Sequence, residues 1–261
     1  MRVLDRIAQA ARMRVAQEKA RVPAEALESS PLWRRARLDF AAAFGGQGPR
    51  IIAEVKLRSP SAPDLGQGLD PVDVARSYDR NGAAAISVLT EPEFFGGSPD
   101  ILRAVREQVS LPLLMKDFVV DPYQIGQARA CGADAVLLIV ALWPQGLEDM
   151  LARTARLGLA ALVEVHDEPE LELALAAGAR IIGVNNRDLK TLGVDLQVSR
   201  RLAASAQGQG ALLIAESGIS RRAEIAELSG LGFQGFLMGT ALMAGGQPGA
   251  ALAALLGRTP R

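Results

Sequence analysis

The stretch CGADAVLLIV (residues 131–140) decides the fold, because its pattern recurs along the chain. A helix end is followed by a glycine and then by an apolar run of strand length, too short for a helix. The same order stands in NGAAAISVL (81–89), AGARIIGV (177–184) and LGFQGFLMG (231–239). Gly82, Gly132, Gly178 and Gly232 take the position just past a helix where a left-handed residue is common. They lie 50, 46 and 54 residues apart, about twice the length of one strand–helix unit. That spacing predicts another strand in each interval, and PLLMKDF (112–118), LAALVEV (159–165) and ALLIAES (211–217) supply them. With IIAEVK (51–56) in front, the count is eight.

Amphipathic stretches such as DPVDVARSYDRN (70–81) and EPELELALAA (168–177) separate the strands and open on Asp, Glu and Pro, as helices do. Continuous apolar strands alternating with helices indicate a parallel sheet covered on its outer face. Eight such units close most simply into a (β/α)8 barrel, with a doubly wound open sheet as the structural alternative. Residues 1–46 precede the first strand and read as a helical extension that covers one end of the barrel. No linker or low-complexity segment divides residues 1–261, so a single domain is expected.

Composition removes several classes of function. Lys plus Arg and Asp plus Glu number 29 each in 261 residues, which leaves no basic footprint for nucleic acid or an anionic membrane. The first twenty-odd residues carry charges throughout and lack the apolar core of a signal peptide. The longest apolar run, 135–143, is too short for a bilayer. Cys131 is the sole cysteine, consistent with a reducing cytoplasm, and reads as a small packing residue. His166 is the sole histidine, so a multi-histidine metal site is excluded. No phosphate-binding G-x-x-x-x-G-K-[ST] motif occurs, and Leu213 stands where a dinucleotide fingerprint would need its third glycine. With no nucleophile elbow in the chain, His166-Asp167 reads as a polar pair at a strand end.

Within the strands the informative residues are charged. Glu54 and Lys56 interrupt an apolar strand two residues apart and therefore leave it on the same side. Other strand ends carry Thr90 and Glu91, Lys116 and Asp117, Glu164, Asn185 and Arg187, and Glu216. Strand four, LLIVALW (137–143), stays apolar and is expected to form a hydrophobic wall. In this fold the chemistry sits at the C-terminal strand ends. Unpaired burial would cost several kcal/mol per charge, so Glu54, Lys56, Lys116 and Glu164 are expected to pair with one another and with a charged substrate. The loops after strands seven and eight, with Ser217-Gly218 and Gly239-Thr240, match the fold's usual phosphate position. These residues alone point to a barrel enzyme acting on a small phosphorylated compound by lysine and glutamate acid–base chemistry. No metal or redox cofactor is called for.

The same residues resemble a known family, the indole-3-glycerol phosphate synthases of tryptophan biosynthesis. The likeness is carried in order by AEVKLRSPS (53–61), SVLTEPEFFGGS (87–98), LPLLMKDF (111–118), LVEVHDEPEL (162–171), IGVNNRDL (182–189), IAESGI (214–219) and FLMGTALM (236–243). LDRIAQAARMRVAQEKARVP (4–23) is similar to the family's extra helical segment. The resemblance implies a lyase that closes a ring in a carboxyphenylamino-deoxyribulose phosphate, releases carbon dioxide and then water, and uses no cofactor. It implies that Lys116 protonates the ketone oxygen. Glu164 would stabilise the positive charge developing on the anilino nitrogen, or take a proton. Lys56 would pair with the substrate carboxylate and donate in the dehydration, with Glu54 as its counter-charge or the late base. Asn185 and Glu216 would orient groups. Ser59, Arg187, Ser217, Gly218, Gly239 and Thr240 would line the phosphate end, and Phe95, Phe118 and Leu189 would sandwich the anthranilate ring. A cytoplasmic enzyme working as a monomer, without nucleic acid or membrane partners, is the corresponding expectation.

One departure is visible. After Ser59-Pro60-Ser61 the family commonly continues with lysine and glycine, whereas this chain reads APDLGQGLDP (62–71), so its first loop is expected to close differently. Two other readings stand beside the synthase. A lysine at an apolar strand end also suits a Schiff-base aldolase or isomerase, and a barrel with these residues could bind phosphosugars without turning them over.

Overall fold

In the computed structural model, which describes residues 3–46 and 48–261, eight parallel strands close into a barrel in sequence order. They are β1 (Arg50–Val55), β2 (Ala85–Leu89), β3 (Leu113–Lys116), β4 (Ala135–Ile139), β5 (Ala160–Val165), β6 (Ile181–Asn185), β7 (Leu212–Glu216) and β8 (Gly235–Met238). β1 pairs with β8 through Ile51 and Phe236, which shuts the ring and excludes the open sheet. Helix α1 (Val3–Arg21) precedes the barrel. The principal outer helices are α2 (Pro71–Arg80), α3 (Pro92–Phe95), α4 (Pro99–Arg106), α5 (Tyr123–Ala130), α6 (Leu147–Arg156), α7 (Glu168–Ala176), α8 (Gln197–Ala206), α9 (Arg222–Gly230), α10 (Thr240–Met243) and α11 (Pro248–Leu256). Among the described residues no helix is long and apolar enough to cross a membrane.

The local chemistry of the chain accounts for where the elements stop. Gly82, Gly132, Gly178 and Gly232 all have positive φ, between 83° and 102°, and turn the chain from helix to strand. Asp70 and Asp167 cap α2 and α7 by accepting backbone N–H bonds from their first turns. The apolar run 135–143 is not all strand. β4 ends at Ile139, and Val140–Leu142 form a 3-10 turn that brings Trp143 Nε1 to the Val119 carbonyl at 2.8 Å.

Strand alternation sorts the core into two layers. Ile51, Val55, Ile86, Met115, Val136 and Val163 face the helices. Ile52, Ala85, Leu114, Leu137, Leu162 and Ile214 fill the barrel interior together with Phe40 and Phe44. The two phenylalanines meet edge to face at 5.4 Å and plug the N-terminal end. Gly235 makes room for them, since a Cβ there would stand 2.7 Å from the Phe44 ring.

The residues before β1 touch both ends of the barrel. Met1 and Arg2, the start of the predicted extension, lie outside the described residues. α1 buries Ile7, Ala8, Ala11 and Val15, and Arg14 reaches Asp117 just past β3, at 2.7 Å. Asp117 also accepts the Thr90 hydroxyl at 2.7 Å and the Phe118 N–H at 2.8 Å. Further along, Arg35 and the Leu38 N–H converge on Asp134, at the opposite end of β4, where Arg106 and the Leu113 N–H also bind. The first loop folds back on itself: Ser59 and Ala62 exchange two backbone bonds of 3.0 Å, and the Gly66 N–H meets the Leu57 carbonyl at 2.7 Å.

Asp117 is buried and Arg14 half-buried, so removing the arginine strands a buried charge. Arg14→Met should cost about 3 kcal/mol, read as a lowered urea midpoint, and adding Asp117→Asn should recover much of the loss. Parental stability in the single variant would show that α1 is not anchored through this pair.

Candidate active site

The polar strand ends converge on one cavity of about 360 Å³ at the C-terminal mouth of the barrel. It is lined by Glu54, Lys56, Lys116, Glu164, Asn185 and Glu216, and by Phe95, Phe118, Arg187, Leu189, Ser217, Gly218, Gly239 and Thr240. Ser59 is the one residue of the predicted set outside it. It is buried in an adjoining space of about 70 Å³ with Leu4 and Ile7 of α1, its hydroxyl 3.3 Å from that of Ser61. Leu137 and Ile139 of β4 supply the apolar wall, joined by Leu89, Leu237 and Met238.

Three of the other polar strand ends serve the scaffold. Thr90 and Asp117 bond each other, and the Glu91 carboxylate caps α3 by accepting from Glu93, Phe94 and Phe95. Asp117 also borders the cavity.

Two ion-pair groups stand in the mouth. On β1, Lys56 Nζ lies 2.8 Å from Glu54 Oε1. Gly239, just past β8, lies against this pair; a Cβ there would run into Glu54 and sit 3.0 Å from Lys56 Nζ. Across the cavity, Lys116 Nζ from β3 is 3.3 Å from Glu164 Oε2 of β5 and 3.7 Å from Glu216 Oε2 of β7. Gly183 on β6 gives Glu216 its space, since any side chain there would collide with Glu216 Oε1.

Burial and charge act differently on these groups. Burial opposes the Lys116 charge, but Glu164, Glu216 and Glu54 outweigh it and raise its pKa. Burial also penalises ionised Glu164, yet Lys116, His166 and an Asn185 hydrogen bond hold it well below the usual carboxylate range. Glu216 goes the other way: burial, aided by Glu164 and Glu54 against the opposing Lys116, pushes it up to about 8. The surroundings thus favour the charged forms of Lys116 and Glu164 and the protonated form of Glu216.

His166 belongs here as well. Its Nε2 lies 3.2 Å from Glu164 Oε1, and its Nδ1 lies 3.0 Å from Glu170 Oε2. Of the strand-end pair His166-Asp167, Asp167 caps α7, while His166 also reaches Glu164. The signal was available: His166 follows Glu164 by two residues, the same spacing that exposed Glu54 and Lys56.

The phosphate-position loops have unusual backbone. Ser217 holds φ 64°, left-handed for a non-glycine residue, and Gly218 follows at φ 78°. Such strain persists where the surroundings enforce it and gathers at functional sites. Arg187 borders the same cavity, with Nη1 donating to the Leu192 carbonyl at 2.8 Å. Phe95 and Phe118 stand 5.9 Å apart, tilted by 32°, on the remaining wall.

Fold and site together define a (β/α)8-barrel enzyme with its ionisable groups gathered at the C-terminal rim. Residues 4–255 match the family model of indole-3-glycerol phosphate synthase. The chain is 46% identical to the indole-3-glycerol phosphate synthase of Carboxydothermus hydrogenoformans, over 97% of this chain and 99% of that one. It is 49% identical to indole-3-glycerol phosphate synthase 2 of Streptomyces coelicolor, over 84% and 85%. The chain belongs to the indole-3-glycerol phosphate synthase family, carboxy-lyases of tryptophan biosynthesis. A thiamine phosphate pyrophosphorylase from Pyrococcus furiosus shares the fold alone, with a TM-score of 0.59 and 18% identity over 79% of this chain and 93% of that one.

The raised pKa of Glu216 ties stability to pH. A carboxyl raised by folding contributes stability that is full below its unfolded value of 4.5 and is lost as pH climbs to about 8. Subtracting the stability–pH curve of Glu216→Gln from that of the parent should expose a decline across this window. A flat difference would mean that Glu216 carries no proton at neutral pH.

Proposed function

We propose that the chain converts 1-(2-carboxyphenylamino)-1-deoxyribulose 5-phosphate into indole-3-glycerol phosphate, carbon dioxide and water. The observation that carries the residue roles is the Lys116–Glu164–Glu216 cluster beside an aromatic wall. The substrate's ring carbon attacks its ketone, and Lys116 gives a proton to the oxygen as it becomes a hydroxyl. A lysine with a raised pKa is still acid enough, because an alkoxide is more basic than any amine. Carbon dioxide then leaves, its bonding electrons neutralising the cationic ring. Glu164 faces the positive charge while it lasts. Proton-bearing Glu216, 3.7 Å from Lys116, returns a proton to the lysine.

Dehydration needs a second proton, for the departing hydroxyl, and a base for the ring C–H. Lys56 and Glu54, 2.8 Å apart, are a donor and an acceptor for these steps. Asn185 orients Glu164. Arg187, Ser217, Gly218, Gly239 and Thr240 hold the phosphate end, with Ser59 reaching it from the adjoining space. Phe95, Phe118 and Leu189 take the anthranilate ring. The chain works as one barrel domain with residues 1–46 as its cover, as a cytoplasmic monomer on a small phosphorylated substrate.

Supplying that substrate and following indole fluorescence tests the reading. Lys116→Met should lower kcat about 10²-fold or more, the usual size of general acid catalysis. No fluorescence above buffer with the parent would sink the activity, and near-parental turnover in the variant would remove Lys116 as the acid.

A further inference from the structure

His166 has contacts that strand-end packing does not require. Its backbone N–H and Nδ1 both reach Glu170 Oε2, at 2.8 and 3.0 Å. Glu170 lies in the first turn of α7, and its own N–H is held by the Asp167 cap at 3.0 Å, so the ring is anchored on a fixed helix end. Its other nitrogen faces Glu164 Oε1 at 3.2 Å, off the line of a regular hydrogen bond, as an ion-pair contact. A neutral imidazole can donate from only one nitrogen. With a carboxylate at each end, a neutral ring would aim a lone pair at one of them.

The ring's other charged neighbours strengthen this. Asp188, from the segment after β6, feels the His166 charge, and its pKa is lowered chiefly by the Lys190 backbone N–H. Lys116 and Glu216 lie behind Glu164. Burial alone would lower the imidazole's pKa, but Glu164 and Glu170 raise it to about 10.

We propose that His166 is a positioning residue, an imidazolium clamped between Glu170 and Glu164 that keeps Glu164 ionised and turned toward Lys116 throughout the reaction. This rests on the role assigned to Glu164 above. The need arises when Lys116 donates. At that moment Glu164 loses the cation 3.3 Å away, and a buried carboxylate without a partner draws a proton. It would then compete with the substrate for the proton of Lys116. A second, fixed cation on its other oxygen prevents this, so the proton goes to the ketone.

The chain holds one histidine, so a single set of imidazole nitrogen resonances reports on it. We expect His166 to stay doubly protonated through pH 8 and Glu170→Gln to lower its titration midpoint by about one unit or more. A midpoint near the ordinary 6.5 in the parent would overturn the clamp. In kinetics, His166→Gln should lower kcat about tenfold with KM little changed and move the acidic limb of kcat upward by about one pH unit. His166→Lys, which keeps a cation, should leave the limb near its parental position.

A purely structural role would lower thermal stability without moving that limb, and that outcome also defeats the proposal. Glu164→Gln separates the two claims. Full turnover in that variant would remove the role of Glu164, whereas the His166 titration tests the clamp itself whether or not Glu164 is catalytic.

Discussion

A lysine ammonium buried in an apolar barrel is the constraint on which the site depends. Burial alone would lower the pKa of Lys116. Glu164, Glu216 and Glu54 reverse that, at the cost of placing several carboxylates in the same mouth. Two features relieve the excess negative charge. Burial pushes Glu216 toward its protonated form, and Glu164 takes His166 as a second cation. The strands deliver these groups because β3, β5 and β7 are alternate staves, whose inward residues meet in one layer of the barrel.

The rest of the architecture holds that layer still. Phe40 and Phe44 close the bottom, so the interior beneath the charges stays apolar and the ion pairs remain short of solvent. α1 ties Arg14 to Asp117, the residue after Lys116, and Asp117 binds Thr90 at the end of β2. Lys116 is thus flanked by a bonded network rather than by a free loop. Gly183 and Gly239 matter for the space they leave: one admits the Glu216 side chain, and the other lets Glu54 and Lys56 lie against the β8 loop.

Most of this was legible in the sequence because periodicity and burial conflict at a few positions. Apolar runs of fixed spacing gave the barrel, and charges inside those runs pointed to Glu54, Lys56, Lys116, Glu164 and Glu216. Three things were harder. Thr90, Glu91 and Asp117 look the same in sequence as Asn185 or Glu216. Only their partners show that they chiefly cap and brace, and those partners lie on other elements. Ser59 sits in a loop, where no strand alternation fixes direction, and it fell in the adjoining space. His166 beside Asp167 has the look of a triad fragment, and its link to Glu164 crosses only the strand end. Its meaning depends on Glu170, four residues on in a helix whose first turn folds back over the strand end.

The charge state of Lys116 also decides between the chemistries that a barrel lysine permits. An imine-forming lysine must be neutral to attack a carbonyl, and enzymes that use one depress its pKa by desolvation or by a neighbouring cation. Lys116 is desolvated, but its ionisable neighbours within ion-pair distance are carboxylates, and they raise its pKa. The nearby cation, His166, lies beyond Glu164 and acts on the carboxylate rather than on the amine. Such a cluster disfavours a nucleophilic amine and favours an ammonium that gives up its proton only to a strongly basic oxygen. A ketone under attack by an aromatic carbon becomes such an oxygen. The negative charge that makes Lys116 a poor Schiff-base former, that of Glu164 above all, is therefore what suits it to the proposed role of a selective acid.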